Sequence, residues 1–153
     1  MTRYVAVCGP GHDADRAELD AAFSIAKALA ARDVVIITGG LGGVMEAAAA
    51  GAAEVGGMSI GLLPGLDRAG ANPHSTVTLP TGLGELRNAL LVRAADLVVT
   101  VGGSWGTLVE LALAVRTGVP VIALHAWDLP TGAVTEVATV DDAVAAALQV
   151  LDR

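Results

Sequence analysis

Residues 97–107 have the sequence LVVTVGGSWGT, in which five apolar or β-branched residues lead directly into a glycine-rich segment. A run of this length predicts a buried strand, and the longer apolar segment 106–117 predicts a helix. A strand that passes through glycines straight into a helix is typical of the carboxyl end of a parallel strand in an α/β sheet. These residues therefore predict both the fold class and the edge of the sheet at which a ligand would bind.

The same arrangement occurs at two other places in the chain. Residues 4–8 run into Gly9-Pro10-Gly11, and residues 34–38 run into the segment 39–43, GGLGG. Further strands are predicted at 59–63 and 119–124, with a short one at 76–79, and further helices at 15–31, 44–55, 83–95 and 141–151. The alternation predicts a single α/β domain over residues 1–153, a Rossmann-like doubly wound parallel sheet with helices on both faces.

The three glycine-rich segments would meet at the carboxyl edge of such a sheet. The helix after each segment aims free amide groups at this edge and carries about half a positive charge at its first turn. Any one of these loops could simply turn the chain, but three at one edge favour a site for the phosphate of a small ligand. None matches a P-loop, because no lysine follows the glycines. The predicted ligand-binding residues are Gly9, Gly11, Gly39, Gly40, Gly42, Gly43, Gly102, Gly103, Ser104, Trp105, Gly106 and Thr107.

The composition excludes several classes of protein. Of the 153 residues, 54% are hydrophobic and only 16% are charged, with a formal net charge of −7. Because the basic residues are not clustered, the chain lacks the positive surface with which proteins bind nucleic acid. The apolar stretches are interrupted before about 18 residues, so no membrane-spanning segment is predicted. We expect a cytoplasmic protein, since the N-terminus has no secretory signal pattern.

The cysteine and histidine residues do not form a metal-ligand pattern. Cys8 is the only cysteine, and the three histidines, His12, His74 and His125, lie far apart in the sequence. The sequence therefore predicts neither a metal site nor a resident cofactor.

Arg87 and Glu110 are the charged residues that are expected nearest to the third glycine segment. From Arg87 the predicted helix descends about 12 Å and the next strand climbs back about 13 Å, so Arg87 returns to the ligand-binding edge. Glu110 lies three residues after Thr107, on the same face of a helix start. Two interpretations are open. Thr107 and Glu110 form a capping box while Arg87 is a solvated arginine, or these residues bind a phosphorylated ligand and act on it.

These motifs resemble those of the Lonely guy family, which are phosphoribohydrolases. Residues 39–46, GGLGGVME, resemble the first motif of the family, and residues 102–110, GGSWGTLVE, resemble the second. The resemblance implies a Rossmann-like fold, a catalytic pair formed by Arg87 and Glu110, and ligand contacts that include Met45. The implied reaction is hydrolysis of a nucleoside 5'-monophosphate to free base and ribose 5-phosphate.

Three positions depart from the pattern of the hydrolases. Gly102 replaces a proline, Ser104 replaces a glycine, and Asn88 replaces the lysine that usually follows the arginine. In these features the chain is similar to a shorter branch of the superfamily, which includes the algal molybdenum-cofactor carrier proteins. That branch implies an alternative function, the non-catalytic binding of a phosphorylated pterin. Asn88 is assigned to the ligand site with either function.

Relatives of this kind are often labelled lysine decarboxylases, and the lysine content argues against that activity. Lys27 is the only lysine, and it lies inside the first predicted helix. No lysine is therefore available at the glycine segments to form a Schiff base with pyridoxal phosphate.

The predicted helix 44–55 is rich in alanine on all sides. It leaves little polar surface to face water, and apolar helix surfaces of this kind are commonly covered by another chain. We therefore expect a homodimer or a larger homo-oligomer.

Overall fold

The computed structural model describes residues 1–129 and 132–153. Within these residues, seven strands form one sheet in the order β4-β3-β2-β1-β5-β6-β7, and every neighbouring pair is parallel. The strands are β1 Tyr4–Cys8, β2 Val35–Thr38, β3 Ser59–Leu63, β4 Val77–Pro80, β5 Leu97–Val101, β6 Val121–Leu124 and β7 Thr135–Val137. The helices are α1 Arg16–Ala30, α2 Val44–Glu54, α3 Arg87–Arg93, α4 Trp105–Thr117 and α5 Val140–Leu151. The predicted α/β sheet is confirmed.

The strand order reverses between β1 and β5. The chain first moves outwards from β1 to β4 and then returns to place β5 on the other side of β1. Helices α1, α2 and α5 pack on one face of the sheet, and α3 and α4 pack on the other, each face having its own apolar core. Ligands in open α/β sheets bind where the strand order reverses, at the carboxyl ends of the strands.

Two elements differ from the expectation. The three-residue strand β7 was not predicted, because TEV contains no apolar run and pairs only as an edge strand beside β6. The predicted helix 83–95 is divided into a 3₁₀ turn at Gly84–Leu86 and α3, which begins at Arg87. Gly84 has a φ of +56°, a conformation outside the regular right-handed helix, so α3 cannot extend back through it.

None of the helices among the described residues is both long and apolar enough to cross a lipid bilayer.

Candidate functional site

The first two glycine loops pack directly against each other. Gly43 has a φ of +64°, and a Cβ atom at this position would lie 1.9 Å from the carbonyl oxygen of Gly11. The amide of Val44 donates a hydrogen bond of 3.0 Å to the carbonyl of Pro10, which ties the start of α2 to the first loop. A side chain at Gly43 would push the loops apart. The loops after β1 and β2 therefore form one continuous surface.

The third loop ends in a serine cap. The Ser104 hydroxyl accepts a hydrogen bond of 3.2 Å from the amide of Thr107 and lies 2.9 Å from the Thr107 hydroxyl. Because Ser104 is the N-cap and α4 begins at Trp105, Glu110 lies in the second turn of the helix. The capping-box interpretation of Thr107 and Glu110 is therefore wrong. The Glu110 carboxylate is free for another role.

Both loops that lead into α2 and α4 present unused backbone donors. In the described part of the chain, no protein acceptor takes the amide hydrogens of Leu41, Gly42, Gly43, Ser104, Trp105 or Gly106. Amides of this kind at a helix N-terminus are a ready anion-binding site, because they add to the positive end of the helix dipole.

Arg87 begins α3 and lies over the second loop. Its side chain is only 8% exposed, and Nη2 donates a hydrogen bond of 3.3 Å to the carbonyl of Gly39. Another guanidinium nitrogen, Nη1, donates to the Oδ1 atom of Asn88, which is also buried. A Cβ atom at Gly39 would lie 2.6 Å from both Arg87 Nη2 and the sulfur of Met45, so only glycine fits beneath this guanidinium. Arg87, Asn88, Gly39 and Met45 thus form one cluster.

Within the described residues, Arg87 Nε is buried and has no hydrogen-bond partner, and the same is true of Thr100 Oγ1 on β5. Unsatisfied buried polar atoms are uncommon in native proteins and frequently mark a place where a ligand or water binds. Thr100 pairs in register with Cys8, and the Cys8 thiol lies close enough to Arg87 to influence its pKa, so Thr100 and Arg87 belong to the same end of the sheet. The cluster around Arg87 therefore has free hydrogen-bonding capacity.

Glu110 faces this cluster from α4. It is 8% exposed, and burial raises the pKa of its carboxyl group from 4.5 to about 7, although the Arg87 charge and the Cys8 thiol lower it. Burial and the neighbouring Glu110 likewise raise the pKa of the Cys8 thiol, while burial lowers the pKa of Arg87. Near neutral pH, Glu110 therefore exists in comparable amounts as the acid and the carboxylate.

Cys8 lies beside the candidate site and was not predicted from the sequence. It is the last residue of β1 and packs in the core on the α3 and α4 side of the sheet, together with Ala6. The period of two along a strand could have placed it on that side. The mutual influence of Cys8 and Glu110 on their pKa values could not have been found in this way, because the two residues belong to different elements.

The two tryptophans pack together beside the third loop. Their ring centroids are 5.0 Å apart, with an angle of 38° between the planes, and Trp105 is 75% exposed. Trp127 Nε1 donates a hydrogen bond of 3.2 Å to the carbonyl of Ser104, and a Cβ atom at Gly103 would lie 3.1 Å from this nitrogen. Trp127, which was not among the predicted site residues, therefore holds the third loop in place.

Two other predicted features lie as follows. Lys27 lies in the last turn of α1, and its Nζ is 3.9 Å from Glu54 Oε1. Because α1 starts at the carboxyl edge of the sheet, which carries the glycine loops and is called the glycine edge below, Lys27 lies away from that edge. The described residues contain no group of three or more His, Cys, Asp or Glu residues that could hold a metal ion.

Solved structures with a similar fold include proteins of a phototrophic bacterium and of Chlamydomonas reinhardtii. The molybdenum cofactor binding protein of the phototrophic bacterium Rippkaea orientalis has a TM-score of 0.94 and 30% sequence identity, over 99% of this chain and 98% of that chain. The molybdenum cofactor carrier protein of Chlamydomonas reinhardtii has a TM-score of 0.92 and 32% identity, over 100% of both chains. These findings confirm the resemblance to the branch that includes the carrier proteins.

A sequence relative has also been found in an archaeon. An uncharacterized protein of Archaeoglobus fulgidus is 35% identical over 120 residues, which cover 78% of each chain. The model of the SLOG cluster4 family matches residues 2–150. The chain therefore belongs to the SLOG cluster4 family.

Proposed function

We propose that this protein binds a phosphorylated small molecule at the glycine edge of the sheet and acts as a carrier for a phosphorylated pterin cofactor of the molybdenum-cofactor type. The observation that carries the proposal is the set of unused amides in the two loops that lead into α2 and α4, together with the buried Arg87. The two solved relatives support the identity of the ligand, since one is a molybdenum cofactor binding protein and the other a carrier protein.

The phosphate is assigned to the start of α4. The hydroxyls of Ser104 and Thr107 lie 2.9 Å apart at this point, next to the free amides of the first turn. In a protein with a net charge of −7, a diffuse positive potential cannot attract an anion, so local donors and the helix dipole must do so. Arg87 supplies the nearby full positive charge.

The flat ring of the ligand is assigned to the tryptophan pair. Trp105 exposes most of its surface within the same loop that would hold the phosphate, and Trp127 supports it from behind. A planar heterocycle gains stacking and apolar contact on such a surface. The pair therefore favours a ligand that carries an aromatic ring over a simple sugar phosphate.

Hydrolysis of nucleoside 5'-monophosphates is the second candidate function. The observation in its favour is Glu110, whose pKa of about 7 keeps a substantial carboxylate fraction at neutral pH beside the Arg87 charge. A carboxylate in this position would stabilise the positive charge that develops on the ribose as the glycosidic bond breaks. Arg87 would then hold the ribose phosphate or orient Glu110.

A binding and turnover experiment separates the two functions. Isothermal titration would measure binding of adenosine and guanosine 5'-monophosphates and ribose 5-phosphate, and chromatography would follow release of free base over hours. The carrier proposal expects binding without release, together with a fluorescent pterin oxidation product extracted from protein purified from cells that make the cofactor. Base release that is lost in Glu110→Gln would support the hydrolase instead. Absence of binding by all three compounds, together with absence of a pterin product from the purified protein, would refute both functions.

A homodimer is proposed through the outer surfaces of α3 and α4. Leu90 on α3 and Val109 on α4 are exposed, as is Leu86 in the 3₁₀ turn before α3, which places several large apolar side chains in water. Surfaces of this kind are commonly covered by another chain. Light scattering should give twice the mass of the chain at micromolar concentration, and Leu90→Asp should return it to the monomer mass.

A further inference from the structure

The segment between β3 and β4 folds back over the second glycine loop through Asn72. This residue is only 7% exposed although it lies outside any helix or strand. Its backbone amide donates a hydrogen bond of 2.9 Å to the carbonyl of Gly40. Its side-chain amide, Nδ2, donates a second hydrogen bond of 3.1 Å to the carbonyl of Leu41. Asn72 therefore binds two successive carbonyls of the loop.

The orientation of the Asn72 side chain is itself fixed. Its Oδ1 atom accepts hydrogen bonds from the amides of His74 and Ser75, each 3.0 Å long, and lies 3.2 Å from the Ser75 hydroxyl. Because Oδ1 is held by this turn, Nδ2 must point at Leu41. The side chain has one available direction.

These two hydrogen bonds determine where the loop amides point. In a planar trans peptide, the carbonyl of one residue and the N–H of the next point in opposite directions. With the carbonyls of Gly40 and Leu41 held towards Asn72, the N–H groups of Leu41 and Gly42 must point away from it. Within the described residues, neither of these two amides has a protein acceptor.

We propose that Asn72 is a positioning residue that aims the Leu41 and Gly42 amides at an anionic group of the ligand. This inference rests on the proposed function, because it assumes that a phosphorylated compound binds at the glycine edge. It adds the second loop to the anion site at α4 and assigns a role to the segment between β3 and β4. Amides of both the second and the third loop would accordingly bind anionic groups of the ligand.

The loop needs such a constraint because its backbone is permissive. Gly40 has a φ of +78°, and glycine reaches this region and its alternatives at similar cost. The Gly40 amide itself donates a hydrogen bond of 3.1 Å to the Thr38 hydroxyl, and the backbone of Gly61 packs against Gly40. Without the hydrogen bond from the Asn72 side chain, the peptide between Leu41 and Gly42 loses the restraint that fixes its orientation, while the backbone hydrogen bond from Asn72 to Gly40 is kept.

Asn72→Ala removes the side-chain hydrogen bond to the glycine loop, and Ser75→Ala is the matched control. Ser75 contacts the same Oδ1 atom but does not contact the Leu41 carbonyl. The probes are inorganic phosphate and adenosine 5'-monophosphate. We expect Asn72→Ala to weaken the binding of adenosine 5'-monophosphate by about tenfold, as for the loss of oriented, charge-assisted hydrogen bonds, and Ser75→Ala to weaken it by less than about threefold.

Nuclear magnetic resonance of the ligand-free proteins gives an independent measurement. The amide signal of Gly42, which shares a peptide with the Leu41 carbonyl, should move or broaden in Asn72→Ala and stay in place in Ser75→Ala, while the rest of the spectrum shows that both variants are folded. If the native protein binds neither probe, the proposed function fails, and the spectra still report whether Asn72 orients the loop. If the native protein binds and Asn72→Ala binds equally well, or if the Gly42 signal is unchanged in this variant, the role of Asn72 is refuted.

Discussion

Replacement of Glu110 by glutamine should make the protein more stable at neutral and alkaline pH. Folding raises the pKa of this carboxyl group from 4.5 to about 7, chiefly because the group is buried. In the pH window between these two values the folded protein binds more protons than the unfolded chain, so stability falls as the pH rises. The stabilising contribution of the neutral acid is complete below pH 4.5 and is lost by about pH 7.

The size of the effect follows from the shift. A difference of about 2.5 pKa units corresponds to about 3 kcal/mol of unfolding free energy. Glutamine resembles the neutral acid in shape and cannot ionise, so the variant should lack this loss. At pH 8 it should therefore exceed the native protein by up to about 3 kcal/mol, or about 6–12 °C in Tm for a chain of this size.

Urea unfolding followed by circular dichroism at several values between pH 5 and 8.5 would measure this difference. The native stability should lie close to that of Glu110→Gln at pH 5 and fall below it as the pH rises. Leu66→Ala, an uncharged change at a position that is 90% exposed and outside the proposed dimer surface, serves as the control and should run parallel to the native protein. Parallel curves for the native protein and Glu110→Gln across this range would refute the view that a buried, ionising Glu110 opposes folding.

Three further changes test the loops. Gly43→Ala places a Cβ atom 1.9 Å from the carbonyl oxygen of Gly11, at a φ of +64°. The variant should have a lower Tm and should not bind phosphate. An unchanged Tm would show that the loops do not pack as described. Ser104→Ala removes the N-cap of α4 and should cost about 1 kcal/mol in urea unfolding, with weaker ligand binding. Thr107→Ala does not test this cap, because Ser104 is the N-cap of α4. Trp127→Phe keeps an aromatic ring but loses the hydrogen bond to Ser104. Ligand-dependent quenching of the remaining Trp105 fluorescence should therefore decrease. Undiminished quenching at the same ligand concentration would contradict the role of Trp127 in holding the third loop.

Local patterns were sufficient to predict the fold and the edge that carries the candidate site. Short apolar runs and the glycines after residues 8, 38 and 101 are signals between chain neighbours, and parallel strands place their carboxyl ends at one edge. The position of Arg87 near this edge followed from helix rise and strand rise alone. Each of these inferences needs only distances along the chain.

The chemistry of the site depended on contacts between distant segments. Ser104, and not Thr107, caps α4 because the helix begins one turn earlier than the motif suggested, a boundary that local sequence leaves ambiguous. Cys8, Trp127 and Asn72 enter the site from β1, from the segment after β6 and from the segment after β3, and no spacing relates them to one another. The pKa of Glu110 likewise depends on burial beneath α3 and beside β1. Desolvation and hydrogen bonding are set by whatever the folded chain packs around a group, and so only the tertiary structure could decide them.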